Sequence, residues 1–182
     1  MSEPEASERL APSEPEASEP LSTKQVLVLN GPNLAQLGSR EPDVYGSQTF
    51  EDLVETCRRT GRALDLHVEV RQTNDEAELI SWVHEAAAAR LPVVLNPAAF
   101  THYSYALRDA LAMLATPLIE VHLSNPATRE QFRHNSVVSG VANGTIAGFG
   151  LMSYQLALQA VAELAAVQEA AGEDTVADGA SP

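Results

Sequence analysis

The sequence predicts an α/β protein: a five-stranded parallel sheet with helices on both faces, three layers in all. Two observations carry this. Short apolar, β-branched runs alternate with longer segments of helical periodicity, which is the pattern of a parallel sheet covered on both sides. A hydrophobic fraction of 45% over 182 residues is enough to bury a sizeable core.

The elements follow in order. Gln25 to Leu29 (QVLVL) is a short apolar strand. Thr49 to Gly61 is a helix, with Phe50, Leu53, Val54 and Cys57 at helical spacing. Leu66 to Arg71 (LHVEVR) alternates as a strand does. Asp75 to Arg90 is a helix carrying Leu79, Ile80, Val83 and Ala87 on one face. Pro92 to Leu95 is a buried strand, Tyr103 to Leu114 a helix, and Leu118 to Leu123 (LIEVHL) a strand. Thr128 to Arg133 is a short helix behind Pro126, a residue suited to open one. Ile146 to Phe149 is a strand of small residues, and Leu151 to Gln168 is the last helix. Five strands in this order suggest the flavodoxin-like doubly wound arrangement. Its ligands bind outside the carboxyl ends of the strands, at a topological switch point.

The ends differ from the middle. Residues 1–23 repeat SEPEASE at Ser2–Glu8 and Ser13–Glu19. Such a Glu-, Pro- and Ser-rich segment buries too little apolar surface to offset its ordering entropy. The expected division is an acidic disordered tail over 1–23, one catalytic domain over 24–168, and a second disordered tail over 169–182. The formal net charge is −14, yet residues 1–20 hold six glutamates against Arg9 and residues 168–182 hold four acids, leaving −5 between them. No basic stripe invites nucleic acid. No basic start with an apolar run marks a signal peptide, and no apolar run nears membrane-spanning length. A cytoplasmic protein is expected, with neither nucleic acid nor membrane as partner. Cys57 is the only cysteine, which excludes an intrachain disulfide and a thiolate metal site. Lys24 is the only lysine and sits where the tail meets the first strand, a poor place for Schiff-base chemistry.

Polar groups gather past the strand ends. The first strand is followed by Asn30-Gly-Pro-Asn33, the second by Gln72, Thr73 and Asn74. Asn96, Pro97, Thr101, His102 and Ser104 follow the third, and His122, Ser124, Asn125, Arg129 and Arg133 the fourth. With Arg40, three arginines near one cleft suit an anionic ligand such as a carboxylate, which guanidinium groups grip with paired hydrogen bonds. Arg129 and Arg133 either share one face of a helix or form a solvated face with Glu130. His122 is either a satisfied strand-end histidine or one oriented by Glu120, two residues earlier on the same strand face. The histidines lack close ligand spacing, so no metal site is expected.

The loop LGSREPDVYG, Leu37 to Gly46, joins the first strand to the first helix and reads as a candidate lid. Tyr45 in it either packs the loop or acts as a base. An unperturbed phenol has a pKa of about 10, and bringing it to about 7 takes roughly 4 kcal/mol of preferential phenolate stabilisation. Arg40, close in sequence, can supply much of that, as can Arg129 or Arg133 where the fold brings either close. A flavin-binding reading fails because the first loop, NGPNLAQLG, has a proline and few hydroxyls. A phosphoacceptor reading fails because Asn30, Asn96 and glycine stand where acidic residues and a lysine are needed.

NGPNLAQLGSREPDVYG, the run from Asn96 through THYSYALRDAL to Leu111, IEVHLSN and REQFR together resemble type II 3-dehydroquinate dehydratase over about Gln25 to Leu164. The resemblance implies reversible dehydration of 3-dehydroquinate to 3-dehydroshikimate in the shikimate or quinate pathway. It implies no metal and no organic cofactor, and a homo-oligomer, usually a dodecamer of trimers. It further implies that Tyr45 takes the proton beside the ketone while Arg40 stabilises the phenolate and the enolate. Asn33 would help hold a water at the enolate oxygen, and His122, oriented by Glu120, would protonate the departing hydroxyl. Asn96, Ser124 and the Leu123 backbone would hold the carboxylate. His102, Arg133 and an Asp109 from a neighbouring subunit would bind the ring hydroxyls, and Arg129 would close over them. The chain departs from the family at Ala98, where a glycine is usual, and at Tyr103, Gly140 and Ser153. A catalytically silent binding protein of the same fold is the competing expectation.

Overall fold

The computed structural model describes residues 24–38 and 48–177. Five strands, β1 (Lys24–Asn30), β2 (Leu66–Gln72), β3 (Val93–Asn96), β4 (Leu118–His122) and β5 (Gly144–Ala147), form one parallel sheet. Their order is β2-β1-β3-β4-β5. The α-helices are α1 (Phe50–Ala63), α2 (Glu76–Ala89), α3 (Tyr105–Leu111) and α4 (Met152–Ala177).

β1 shows why the sheet is buried on both faces. Successive strand side chains point to opposite sides. Val26 and Val28 pack with Leu53 and Cys57 of α1 and with Tyr154 and Leu158 of α4. Leu27 and Leu29 pack with Leu79 and Val83 of α2 and with Leu107 of α3. Each such side chain contributes about 1.5–3 kcal/mol on burial. Cys57 belongs to this packing, and burial pushes its thiol up to about 12.

Local chemistry sets the helix starts. The Thr49 hydroxyl accepts from the Asp52 N–H at 3.2 Å while Asp52 Oδ2 accepts from the Thr49 N–H at 2.8 Å, a reciprocal capping box. Asp75 accepts from the Ala77 N–H at 2.8 Å and Ser104 from the Leu107 N–H at 3.0 Å, opening α2 and α3.

Four elements differ from the sequence expectation. α3 begins at Tyr105 rather than Tyr103 and ends at Leu111, because Ala98–His102 winds into a 3₁₀ turn and Ser104 caps the helix after it. The stretch expected as one helix over 128–133 is two 3₁₀ turns, Pro126–Thr128 and Gln131–His134. Arg129 between them is extended, at φ −107° and ψ −163°, which breaks any continuous helix. β5 lies upstream of the expected Ile146–Phe149, because Gly148 adopts φ +94° and leaves the ladder. α4 continues past Gln168 to Ala177, since Ala170 and Ala171 are strong helix formers.

The turns after β1 and β3 press together at the switch point. The Gly31 N–H donates to the Asn96 carbonyl at 2.8 Å. A Cβ on Gly31 would stand 2.6 Å from the Pro97 oxygen, so only glycine fits this approach. Among the described residues, no helix is long and apolar enough to cross a membrane.

Candidate active site

A cleft opens over the carboxyl ends of β1, β3 and β4. Its wall includes Asn33, Asn96, His102, His122, Leu123, Ser124, Arg129 and Arg133, which the sequence singled out. Among the described residues, Pro32, Leu34, Gln36, Leu37, Ala98, Ala99 and Pro126 also line it. Glu120 lies behind His122, fully buried. Asp109 does not line the cleft; it sits exposed on α3, 3.1 Å from Arg108. Arg40 and Tyr45 lie outside the described residues, as does most of the expected lid.

His122 ends β4 and is 11% exposed. Its Nε2 stands 2.8 Å from Glu120 Oε1, the same-face pairing that strand alternation suggests. Thr101 also donates to Glu120 Oε1, and the Ser136 hydroxyl lies 3.1 and 3.2 Å from the two carboxylate oxygens. Burial pulls the Glu120 carboxyl up; the bonds from His122, Thr101 and Ser136 outweigh it, and its pKa falls below the usual carboxylate range. An ionised carboxylate only accepts, so Nε2 carries a proton and Nδ1 is the ring nitrogen left for the cleft. Ser136 is in turn held by the Val138 and Ser139 N–H groups at 3.1 and 2.9 Å.

His102 is set differently. Its Nδ1 donates to the Asn135 carbonyl at 2.8 Å, leaving Nε2 for a ligand. Phe132 packs edge-on to the His102 ring at 5.8 Å, while Arg133 stacks over the Phe132 face at 4.7 Å. Glu130 accepts from Arg133 Nε at 2.8 Å and lies 3.6 Å from Arg129 Nε. Neither helix-face reading of this segment holds, because Arg129 is extended between two 3₁₀ turns; Glu130 nevertheless pairs with both arginines, and both line the cleft.

Asn33 adopts φ +70°, a left-handed turn that asparagine tolerates, and its N–H donates to Asn74 Oδ1 at 2.9 Å. Ala98, one of the departures, has φ +50°, where glycine would be unstrained. Ser153, another, accepts from the Phe149 N–H at 3.2 Å and so closes the turn into α4.

Sequence reasoning missed Ser136, Phe132 and Tyr154. The first two sit in the irregular 131–138 stretch, where no periodicity marks a role. Tyr154 reads as one apolar position of α4. Its fully buried hydroxyl nevertheless donates to Asn30 Oδ1 at 2.6 Å and accepts from Asn96 Nδ2 at 2.9 Å.

Sheet order and site together define a flavodoxin-like α/β protein with a cleft of histidines, asparagines and arginines at its switch point. The family described as Dehydroquinase class II matches residues 24–162. A 3-dehydroquinate dehydratase of Salinispora tropica is 59% identical over 138 residues, 76% of this chain and 96% of that protein. 3-Dehydroquinate dehydratase 2 of Pseudomonas aeruginosa is 51% identical over 141 residues, 78% of this chain and 95% of its own. The crystal structure of type II dehydroquinase from Propionibacterium acnes superposes with a TM-score of 0.76 at 56% identity, covering 78% of this chain and 97% of that one. The chain belongs to the class II dehydroquinase family.

Proposed function

We propose that this protein is a hydro-lyase that reversibly dehydrates 3-dehydroquinate to 3-dehydroshikimate through an enolate, by anti elimination. The single observation that carries the reading is the His122–Glu120 pair, at 2.8 Å, beneath a cleft walled by Arg129 and Arg133. It offers a proton donor held by a buried carboxylate, beside cationic groups that favour a carboxylate substrate.

Tyr45, as a phenolate stabilised by Arg40, takes the proton from the carbon next to the ketone, and the electron pair moves onto the ketone oxygen. A water held by Asn33 donates to that enolate. Collapse of the enolate expels the hydroxyl on the carboxylate-bearing carbon, which leaves as water with a proton from His122. Glu120 places a negative charge against the ring while it is cationic. Asn96, Ser124 and the Leu123 backbone hold the carboxylate, and His102 and Arg133 bind ring hydroxyls. Asp109 joins them from a neighbouring copy, within an assembly of trimers, and Arg129 covers the ligand. Dehydration of 3-dehydroquinate accords with the names of the relatives, and use in the shikimate or quinate pathway, in the cytoplasm, belongs to the same proposal.

Two variants test the order of steps. Tyr45→Phe is expected to abolish both enone formation and solvent-deuterium entry beside the ketone while leaving the fold intact. His122→Ala is expected to keep deuterium entry and lose most enone formation. A His122→Ala protein that still dehydrates at near the native rate removes the assigned acid.

A further inference from the structure

A directional chain of hydrogen bonds runs from the sheet interior to the cleft wall. Asn30 Nδ2 donates to the Arg71 carbonyl at 3.0 Å, which leaves Asn30 Oδ1 to accept from the Tyr154 hydroxyl at 2.6 Å. Tyr154 has a single proton, now used, so its oxygen can only accept, and Asn96 Nδ2 donates to it at 2.9 Å. On the other side of the same amide, Asn96 Oδ1 accepts from the Ala98 N–H at 3.1 Å. Both ends of the Asn96 amide are thereby fixed. Turning it over would set Nδ2 against the Ala98 N–H, donor against donor.

Burial makes the chain strict. Asn30 and Tyr154 are 0% exposed and Asn96 is 4% exposed, so water does not scramble the donors. Burial also raises the Tyr154 phenol well above its ordinary value, against the Asn96 bond that lowers it, so the hydroxyl keeps its proton. Asn96 lines the cleft, and its second Nδ2 proton has no partner among the described contacts. Asn30 and Tyr154 do not line the cleft.

We infer that Tyr154 and Asn30 are positioning residues that lock Asn96 as an N–H donor toward the cleft, and that this lock selects a carboxylate ligand over its uncharged carboxamide. The inference rests on the reading of Asn96 as a carboxylate contact. A carboxylate only accepts, so a fixed donor suits it. A free asparagine amide can turn to match either ligand.

The test compares quinate with its carboxamide, quinamide, by calorimetric titration of the full chain. Wild type should prefer quinate, and Tyr154→Phe should cut that preference about tenfold, mainly by weakening quinate. In turnover, the same variant should raise KM for 3-dehydroquinate about tenfold with kcat within about twofold. Asn30→Ala removes the acceptor for the Tyr154 proton from the far side and should reduce the preference alike, so either variant that folds decides the matter. Asn96→Ala separates the lock from the carboxylate contact. If it lowers quinate affinity while Tyr154→Phe and Asn30→Ala leave the preference intact, the lock is overturned and the carboxylate contact stands. If Asn96→Ala leaves quinate affinity unchanged, the carboxylate contact falls and the lock with it.

Discussion

Glu120 is a fully buried carboxylate held by the hydroxyls of Thr101 and Ser136 and by the His122 ring. Its pKa is lowered on folding, so the group adds stability above the unfolded value of about 4.3, and that stability is lost as pH falls through the lower folded value. Urea midpoints of wild type and Glu120→Gln should therefore differ most at neutral pH and converge toward pH 3. A constant difference across that range would contradict this. Glu120→Gln keeps the shape but not the charge, and kcat should fall on the order of 10²-fold. Ala98, at φ +50°, makes a second prediction. Relief of about 1–2 kcal/mol of backbone strain, less about 0.4–1 for glycine's freer unfolded state, should leave Ala98→Gly more stable by under about 1.5 kcal/mol. Thermal unfolding checks the sign. At this scale the sequence showed the chemical types well: His122, Asn33, Asn96, Ser124 and the arginines were legible because each stands at or past a strand end, and Glu120 because it shares a strand face with His122. Ser136 and Tyr154 were not, because what they do depends on contacts across the fold, from Ser136 to Glu120 and from Tyr154 to Asn30.

Elements were legible where capping side chains and periodicity agree. Thr49, Asp75 and Ser104 each accept a helix-opening N–H, and two of these starts follow from the sequence directly. The 126–134 stretch was not legible as two 3₁₀ turns. Pro126 signals a start for either helix type, and the extended backbone at Arg129 leaves no mark in the sequence. β5 was misplaced because small residues fit both the strand and the turn at Gly148. The most constrained junction between elements is Gly31 against Pro97. Gly31→Ala must part the turns after β1 and β3, and overpacking of this kind costs about 1–3 kcal/mol. Because Asn33 and Asn96 flank that junction, kcat/KM should drop together with the unfolding midpoint. A variant that unfolds earlier yet binds substrate normally would separate the junction from the site.

At the scale of the whole molecule, the order β2-β1-β3-β4-β5 explains the location of the site. The connections leave β1 and β3 in opposite directions, so a crevice forms there. The strand–helix alternation made this legible before any coordinates. Asp109 was legible only through family resemblance, since within one chain it stands exposed and off the cleft. If it serves a neighbouring copy, Asp109→Ala and His122→Ala proteins, each impaired alone, should regain activity when refolded together, because mixed assemblies pair an intact His122 with an intact Asp109. No regain in assemblies shown by light scattering to be mixed would return Asp109 to a surface role. The most direct measurement of the central claim is the ultraviolet absorbance of the conjugated enone after 3-dehydroquinate is added to the full chain. A rise that approaches an equilibrium is expected with the wild-type protein, and little rise with His122→Ala. Saturable binding of 3-dehydroquinate by the wild-type protein with no rise in absorbance would contradict it and leave a silent binding protein of the same fold.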